Sequence, residues 1–357
     1  MKQRQLNWRI FSLLTMMALL LAGCGKPFLT TLEPKGEGAD MQFSLMMIST
    51  IIMVVVVLIV SIIFIYVLFR FRAKKGDEDV IPEQVEGNHK LEIMWTVIPI
   101  LLLIILAVPT VSYTFQLADV TPMKEETRDK DALVINVTAY LYWWEFEYPD
   151  HKVVTSQDLV IPTGERVYLN LKGGDVKHAF WVPTIGGKMD TNTDNTNQMW
   201  LHAYKGKEGI YYGKCTELCG PSHALMDFKV SAVSKEDFNK WIDKMANADS
   251  TADTELAQVG EQLFTEKSCI GCHAVGNEGS RLAPNLTNFA DRTRIAGVMD
   301  HSPEKLKEWL RDPETYKSGN KMTGTYGTKK EDGTYAPLTE EEIDALSEYL
   351  FSLSVKD

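Results

Sequence analysis

The chain has 357 residues, enough for two or three domains. Hydrophobic residues make up 45% and charged residues 24%, ordinary for a globular protein, but two long apolar blocks hide inside that average. A formal net charge of −11, with no basic stripe interleaved with aromatics, argues against a nucleic-acid partner.

Lys2, Arg4 and Arg9 precede an apolar run over residues 10–21, and Leu21-Ala22-Gly23-Cys24 closes it. A positive start, an apolar centre and a small-residue end read as an export signal. The ending resembles a bacterial lipoprotein signal. That resemblance implies removal of residues 1–23 and a lipid, palmitate among its chains, on Cys24.

Residues 41–69 and 93–118 carry no charge. A bilayer core of ~30 Å needs ~20 helical residues, so the region 24–118 reads as a transmembrane hairpin with spans at about 44–69 and 93–115. Pro99 and Pro109 are tolerable in such a helix. Arg70, Arg72, Lys74 and Lys75 open the connecting loop and place it in the cytoplasm, so everything after Asp119 is extracytoplasmic. Glu92, at the cytoplasmic start of the second span, reads either as a solvated helix-end carboxylate or as a proton-uptake group.

From Asp131 the pattern becomes that of strands. "LVINVTAYLYWWEFEYP", "DLVIPTGERVYLNLKG", "HAFWVPTI", "QMWLHAYKG", "GIYYGKC" and "LMDFKVSAV" predict roughly seven short strands within residues 119–235, a sandwich or Greek-key barrel. Inside this region "KCTELCGPSHALM" concentrates Cys215, Glu217, Cys219, His223 and Met226, and His178 lies upstream. Three chemistries compete. A Cys215–Cys219 disulfide suits the compartment but leaves the histidines and Met226 without a reason. Two Cys and two His suit zinc, although C-x-x-x-C is not the usual short knuckle. Thiolate, imidazole and thioether together suit copper, and two thiolates suit a copper pair that both sulfurs bridge.

"CTELCGPSHALM" resembles the binuclear copper A loop of cytochrome c oxidase subunit II. "DVKHAFWVP" resembles the segment that supplies the distant histidine, "LEIMWTVIPILLLIILAVP" the second transmembrane helix, and "YWWEFEY" the aromatic stretch. Together these cover about residues 40–232. The resemblance implies a cupredoxin-like domain in which Cys215 and Cys219 bridge two copper ions, His178 and His223 each bind one, Met226 is a weak axial ligand and Glu217 offers its backbone carbonyl. It also makes the Glu217 side chain similar to the one that binds magnesium at the subunit I interface. His89, His151 and His202 are expected not to be ligands. One position departs from the pattern: Tyr142 stands where many members place the tryptophan that accepts electrons from a separate cytochrome c.

Residues 236–254 read as a linker, polar and small over "MANADSTADT", which would tether the rest as flexible coil. Residues 255–357 are helical in pattern. Cys269-Ile270-Gly271-Cys272-His273 is the C-x-x-C-H motif of covalent haem attachment, with His273 on the iron. The segment resembles an all-α class I cytochrome c, which implies that the Pro284 carbonyl orients His273 and that a methionine is the second axial ligand. Met322, in the loop beyond a helix capped by Ser302 and Pro303, is the choice over Met299 and His301. All five cysteines then have a use.

The resemblance as a whole implies subunit II of a respiratory cytochrome c oxidase fused to its cytochrome c. Electrons would pass from haem c to copper A and on to haem a of subunit I, for oxygen reduction coupled to proton translocation. Partners implied are subunit I, subunit III, and an upstream cytochrome or quinol–cytochrome c reductase. The alternatives are a free membrane-anchored electron carrier and a protein like nitrous oxide reductase, which would need far more than seven histidines.

Overall fold

The computed structural model describes residues 2–21, 29–72, 81, 84, 86–124, 126–127, 129–249 and 251–356. Cys24, Lys74 and Lys75 lie outside them. Helix α1 (Lys2–Leu21) exposes Trp8, Phe11 and Leu13.

Helices α2 (Glu37–Arg70) and α3 (His89–Leu117) pack as a hairpin whose apolar side chains face outward. Asn88 caps α3, its side chain accepting from the Lys90 and Leu91 amides. The 34 residues of α2 reach about 51 Å, well beyond a ~30 Å hydrocarbon core. Its first turns are tied instead to the β-domain. Arg166 donates two hydrogen bonds to Glu37, at 2.6 and 3.0 Å, and its guanidinium lies 4.1 Å over the Trp200 ring. Trp200 in turn donates to the Gln116 carbonyl at the end of α3, at 3.3 Å.

The β-domain has ten strands: β1 (Val134–Tyr140), β2 (Trp143–Tyr148), β3 (Val153–Ser156), β4 (Asp158–Pro162), β5 (Arg166–Gly173), β6 (His178–Trp181), β7 (Lys188–Thr191), β8 (Asn197–His202), β9 (Gly209–Cys215) and β10 (Asp227–Val233). They form two five-stranded sheets, β3-β2-β1-β5-β8 and β4-β10-β9-β6-β7. Ile135, Val137 and Ala139 alternate inward along β1 and meet Trp144, Phe146, Phe180 and Phe228 in the core. Phe180 stacks on Phe228 with centroids 4.7 Å apart. Each such buried aromatic contributes about 1.5–3 kcal/mol.

Ten strands form where the pattern predicts seven. The run that reads as one strand reverses at Leu141–Tyr142, a turn with no Gly, Pro or Asn to signal it; the Leu141 amide is held by the Asp175 carboxylate at 2.9 Å. Strands β3 and β7 are four residues each, too short for alternation to show.

The linker expected over 236–254 is shorter. Residues Lys235–Ala246 form helix α4, capped by the Ser234 side chain on the Asp237 amide. Phe238, Ile242 and Met245 recur at helical spacing and bury against the β-domain, with Trp241 5.4 Å from the Tyr148 ring. That apolar stripe outweighs the polar composition around it.

The C-terminal domain is built from α5 (Glu255–Glu266), α6 (Pro303–Arg311), α7 (Pro313–Tyr316) and α8 (Glu340–Ser352). Ser302 caps α6 with Pro303 at its first position, and Thr339 with Glu342 makes a capping box on α8. Phe264, Leu306, Leu310, Leu346 and Tyr349 fill the core. Helices α5 and α8 cross at Gly260, where a Cβ would lie 2.0 Å from the Ala345 carbonyl oxygen.

This domain does not hang from a coil; it is seated on the β-domain. Arg281 donates to Glu145 at 2.8 and 3.3 Å and to Glu147 at 2.9 Å. The Asn285 amide donates to Ser156 Oγ at 3.0 Å, and Val355 packs into the β-domain core. Gly297, at φ +80°, approaches so closely that a Cβ would lie 2.7 Å from the Asp227 carbonyl. The sheet edge β3, buried at Val153, Thr155 and Ser156, and its neighbour β2 thereby become an interface.

Candidate metal centres

The loop between β9 and β10 begins at Cys215 and ends at Met226, and the two are joined by a backbone bond from the Cys215 amide to the Met226 carbonyl at 3.1 Å. His178 starts β6, the strand beside β9, and the Thr216 amide donates to Ala179 at 3.1 Å, so sheet pairing brings the distant histidine to the loop. His178 Nδ1 lies 3.9 Å from Cys215 Sγ, and His223 Nδ1 lies 3.6 Å from Cys219 Sγ. The two sulfurs are 3.9 Å apart, which is not a disulfide. Met226 Sδ is 3.9 Å from Cys219 Sγ, and the Glu217 carbonyl is 3.3 Å from Cys215 Sγ. All six residues singled out in the sequence therefore meet in one cluster. His178 and Met226 are fully buried, and Cys219 is half-buried.

The donor set fits a soft metal. Two sulfurs 3.9 Å apart can both be reached by one ion at thiolate bonds of about 2.3 Å. Two imidazoles and a thioether complete a set that suits copper better than a hard cation. Electrostatics favours a metal as well. Burial pushes both thiols up; for Cys215 it is outweighed only by His178 together with the Ala179 and Glu217 backbone bonds, so its pKa falls, while the adjacent Cys215 pushes Cys219 further up. One thiol ionises readily and the other needs a cation to do so.

Asp175 is a member of this site that sequence reasoning missed. Its Oδ1 holds His178 Nε2 at 3.0 Å, which leaves Nδ1 toward the sulfurs. Burial would raise its carboxyl, but His178, Lys321 and the Leu141 and Val176 amides together hold it well below the usual range. The signal was present as an Asp three residues before the histidine in "DVKH", yet only the fold shows that a turn brings it under the ring.

In the C-terminal domain Cys269, Cys272, His273 and Met322 all line one cavity of about 470 Å³, a size suited to a large cofactor. His273 Nδ1 bonds the Pro284 carbonyl at 2.7 Å, leaving Nε2 as the ligand atom, and burial lowers its pKa so that the ring stays neutral. Met299 is buried in the helical core, and His301 packs between Phe289 and Phe351 and bonds the Phe289 carbonyl; neither lines the cavity. Tyr140, Leu141, Tyr142 and Trp143 of the β-domain close one side of the cavity.

His202 meets the Glu37 amide, His151 lies near Phe238, and His89 lies beside Glu92, so none of the three joins either cluster. Glu92 is half-exposed in the first turn of α3, about 40 Å along the helix from the β-domain.

Residues 34–113 match the transmembrane domain of cytochrome c oxidase subunit II, residues 151–233 its periplasmic domain, and residues 257–354 cytochrome c. Cytochrome c oxidase subunit 2 of Bacillus sp. (strain PS3) is 60% identical over 98% of both chains. The chain belongs to the cytochrome c oxidase subunit II family. The protein of the same description from Bacillus subtilis (strain 168) is 54% identical over 98% of this chain and 99% of its own. Quinol oxidase subunit 2 of Bacillus cereus (strain ATCC 14579) is 34% identical over only 68% of this chain and 81% of its own. The chain is thus a membrane-bound component of an oxidase complex that works with a subunit I, and its two extramembrane domains imply copper A and haem c.

Proposed function

We propose that this chain is the electron-delivering subunit of its oxidase. It takes electrons from an outside cytochrome or quinol–cytochrome c reductase at the C-terminal domain and passes them to the β-domain. From there it delivers them to haem a of subunit I, where oxygen is reduced to water and protons are translocated, with subunit III completing the assembly. When bound, haem c and the copper pair supply one-electron redox chemistry. Cys269 and Cys272 would hold the haem covalently, with His273 and Met322 as its iron ligands. Cys215 and Cys219 would hold the copper pair through their thiolates, with His178, His223, the weaker Met226 and the Glu217 carbonyl completing the donor set. The Glu217 carboxylate serves a magnesium ion at the contact with subunit I. Cys24 carries the lipid anchor, both redox domains stand on the extracytoplasmic side, and Glu92 takes up protons at the opposite end of α3.

The observation that carries this reading is the chain of contacts at 3.6–3.9 Å that links two cysteine sulfurs, two imidazoles and a thioether, beside a cavity lined by both domains. Metal analysis and a spectrum of the purified oxidase test it. Two coppers in this chain, with near-infrared copper absorption and a low-spin haem c, are expected. Zinc in the cluster, or a Cys215–Cys219 disulfide in the isolated protein, would overturn it.

A further inference from the structure

We propose that residues 317–321 latch the haem loop to the copper loop, and that Lys317 and Lys321 are positioning residues for electron transfer between the two domains. The inference rests on the electron route proposed above and adds what holds its two ends in register.

Three contacts make the latch, all within five residues of Met322. Lys317 is 3% exposed, and its Nζ donates to the Tyr142 carbonyl at 2.8 Å. Ser222 Oγ, next to His223, donates to the Ser318 carbonyl at 2.8 Å. Lys321 Nζ pairs with Asp175 Oδ2 at 2.8 Å, and the other oxygen of that carboxylate holds His178. Gly319, at φ +74°, lets the loop pass over Tyr142 and Pro221; a Cβ there would lie 3.4 Å from the Tyr142 hydroxyl. Tyr142 itself is 4% exposed and packs over Gly220, the residue after Cys219.

The loop that carries the candidate iron ligand thus touches both halves of the copper cluster, through Ser222 beside His223 and through Asp175 behind His178. A lysine rarely buries its amine without a charged partner, because desolvation disfavours it. Here Lys317 buries its amine with no ion pair of its own among the described residues, in the field of the Asp227 carboxylate, and grips one backbone carbonyl at the turn between β1 and β2. Arg281 with Glu145 and Glu147 fixes the far side of the same interface, so the haem cavity lies between two sets of contacts. A haem held by Cys269, Cys272, His273 and Met322 would supply one electron, its iron passing from ferrous to ferric, to a copper pair held by Cys215, Cys219, His178 and His223, so the contribution of the latch residues would be distance and register.

Two measurements on the assembled oxidase test the latch. The first is amine labelling read by mass spectrometry. Lys317 should be protected in the native chain, should label roughly tenfold faster in Lys321→Ala, the effect of losing one charge-assisted hydrogen bond, and should be protected again in Lys321→Arg. The second is haem c oxidation after flash photolysis of the reduced, carbon-monoxide-inhibited enzyme in oxygen. Lys317→Met and Lys321→Ala should each slow it by roughly tenfold, with Lys321→Arg restoring it, while haem content, the iron–methionine band and copper content stay native. Native labelling in Lys321→Ala with native rates in both variants would overturn the latch alone. Loss of the iron–methionine band would make these lysines parts of the haem pocket instead and also overturn it. A native oxidase in which haem c never reduces the copper would sink the electron route itself.

Discussion

Gly260→Ala sets two effects of opposite sign against each other at the crossing of α5 and α8. In an isolated helix the change favours folding by about 1 kcal/mol, because glycine is a poor helix former. Here the added Cβ would lie 2.0 Å from the Ala345 carbonyl oxygen and 2.7 Å from the Tyr349 Cβ, one turn further along α8. The carbonyl belongs to a helix backbone and cannot rotate away. Ordinary contact requires the helices to part by roughly 1 Å or more, and forced separation of a packed core costs about 1–3 kcal/mol or more. A backbone carbonyl at 2.0 Å puts the cost at the upper end of that range, so the steric effect wins, and a net loss of roughly 1–2 kcal/mol should lower the melting temperature of the haem domain by roughly 4–16 °C. Because α5 leads directly into Cys269, haem uptake should suffer in parallel. Calorimetry of the holoprotein, with haem content by pyridine haemochrome, checks both. A melting temperature equal to or above the native one would refute the reasoning, since it would mean that propensity governs and that the helices do not meet at this glycine.

Cys219→Ser should abolish the paired-copper electron spin resonance signal and leave haem c in place, because the haem is attached in another domain; a variant that keeps two coppers and the native signal refutes the bridging role. Met322→Ala should erase the iron–methionine charge-transfer band while Met299→Ala keeps it and loses about 2–5 kcal/mol of stability as a buried core truncation, which denaturant titration reads. Copper uptake by metal-free protein should strengthen as pH rises and should release protons, because the Cys219 thiol is raised and must ionise to bind; calorimetry in buffers of different ionisation heat measures the release. Glu92→Gln should slow proton uptake with no change in haem-to-copper transfer, and unaltered uptake would mark Glu92 as a solvated helix-end carboxylate.

Local rules reached much of this molecule and stopped where contacts become long-range. The hairpin, the cap at Ser302 and the C-x-x-C-H motif are local patterns, and the two long apolar helices and that cap formed where the sequence predicts them. The candidate metal cluster was legible because five of its six residues lie in one loop, with His178 as an upstream histidine that the resemblance then assigned to the same site. The turn at Leu141–Tyr142 was not legible, since its support comes from Asp175, 34 residues away. Helix α4 was lost to composition: "KEDFNKWIDKMA" looks polar by count, and only its i, i+4, i+7 apolar positions show which face it buries.

The seating of the haem domain was the largest feature beyond reach, and its physics explains why. A coil of about ten residues would leave the domain at millimolar effective concentration, free to approach and depart. What replaces that freedom is a set of single residues scattered through the chain: Glu145 and Glu147 on β2, Ser156 on β3, Asp175 before β6, Arg281 after the haem motif, Lys317 and Lys321 beside Met322. Each is an ordinary surface residue by sequence, and half-exposed ion pairs of this kind contribute little one at a time. Their effect comes from acting on one rigid interface, where the ordering entropy of the domain is lost once and every further contact adds to the docked state. On the electron route proposed above, a donor held this way would have no encounter step to steer, and Tyr142 lies buried beneath Gly319 instead of standing open to a diffusing partner.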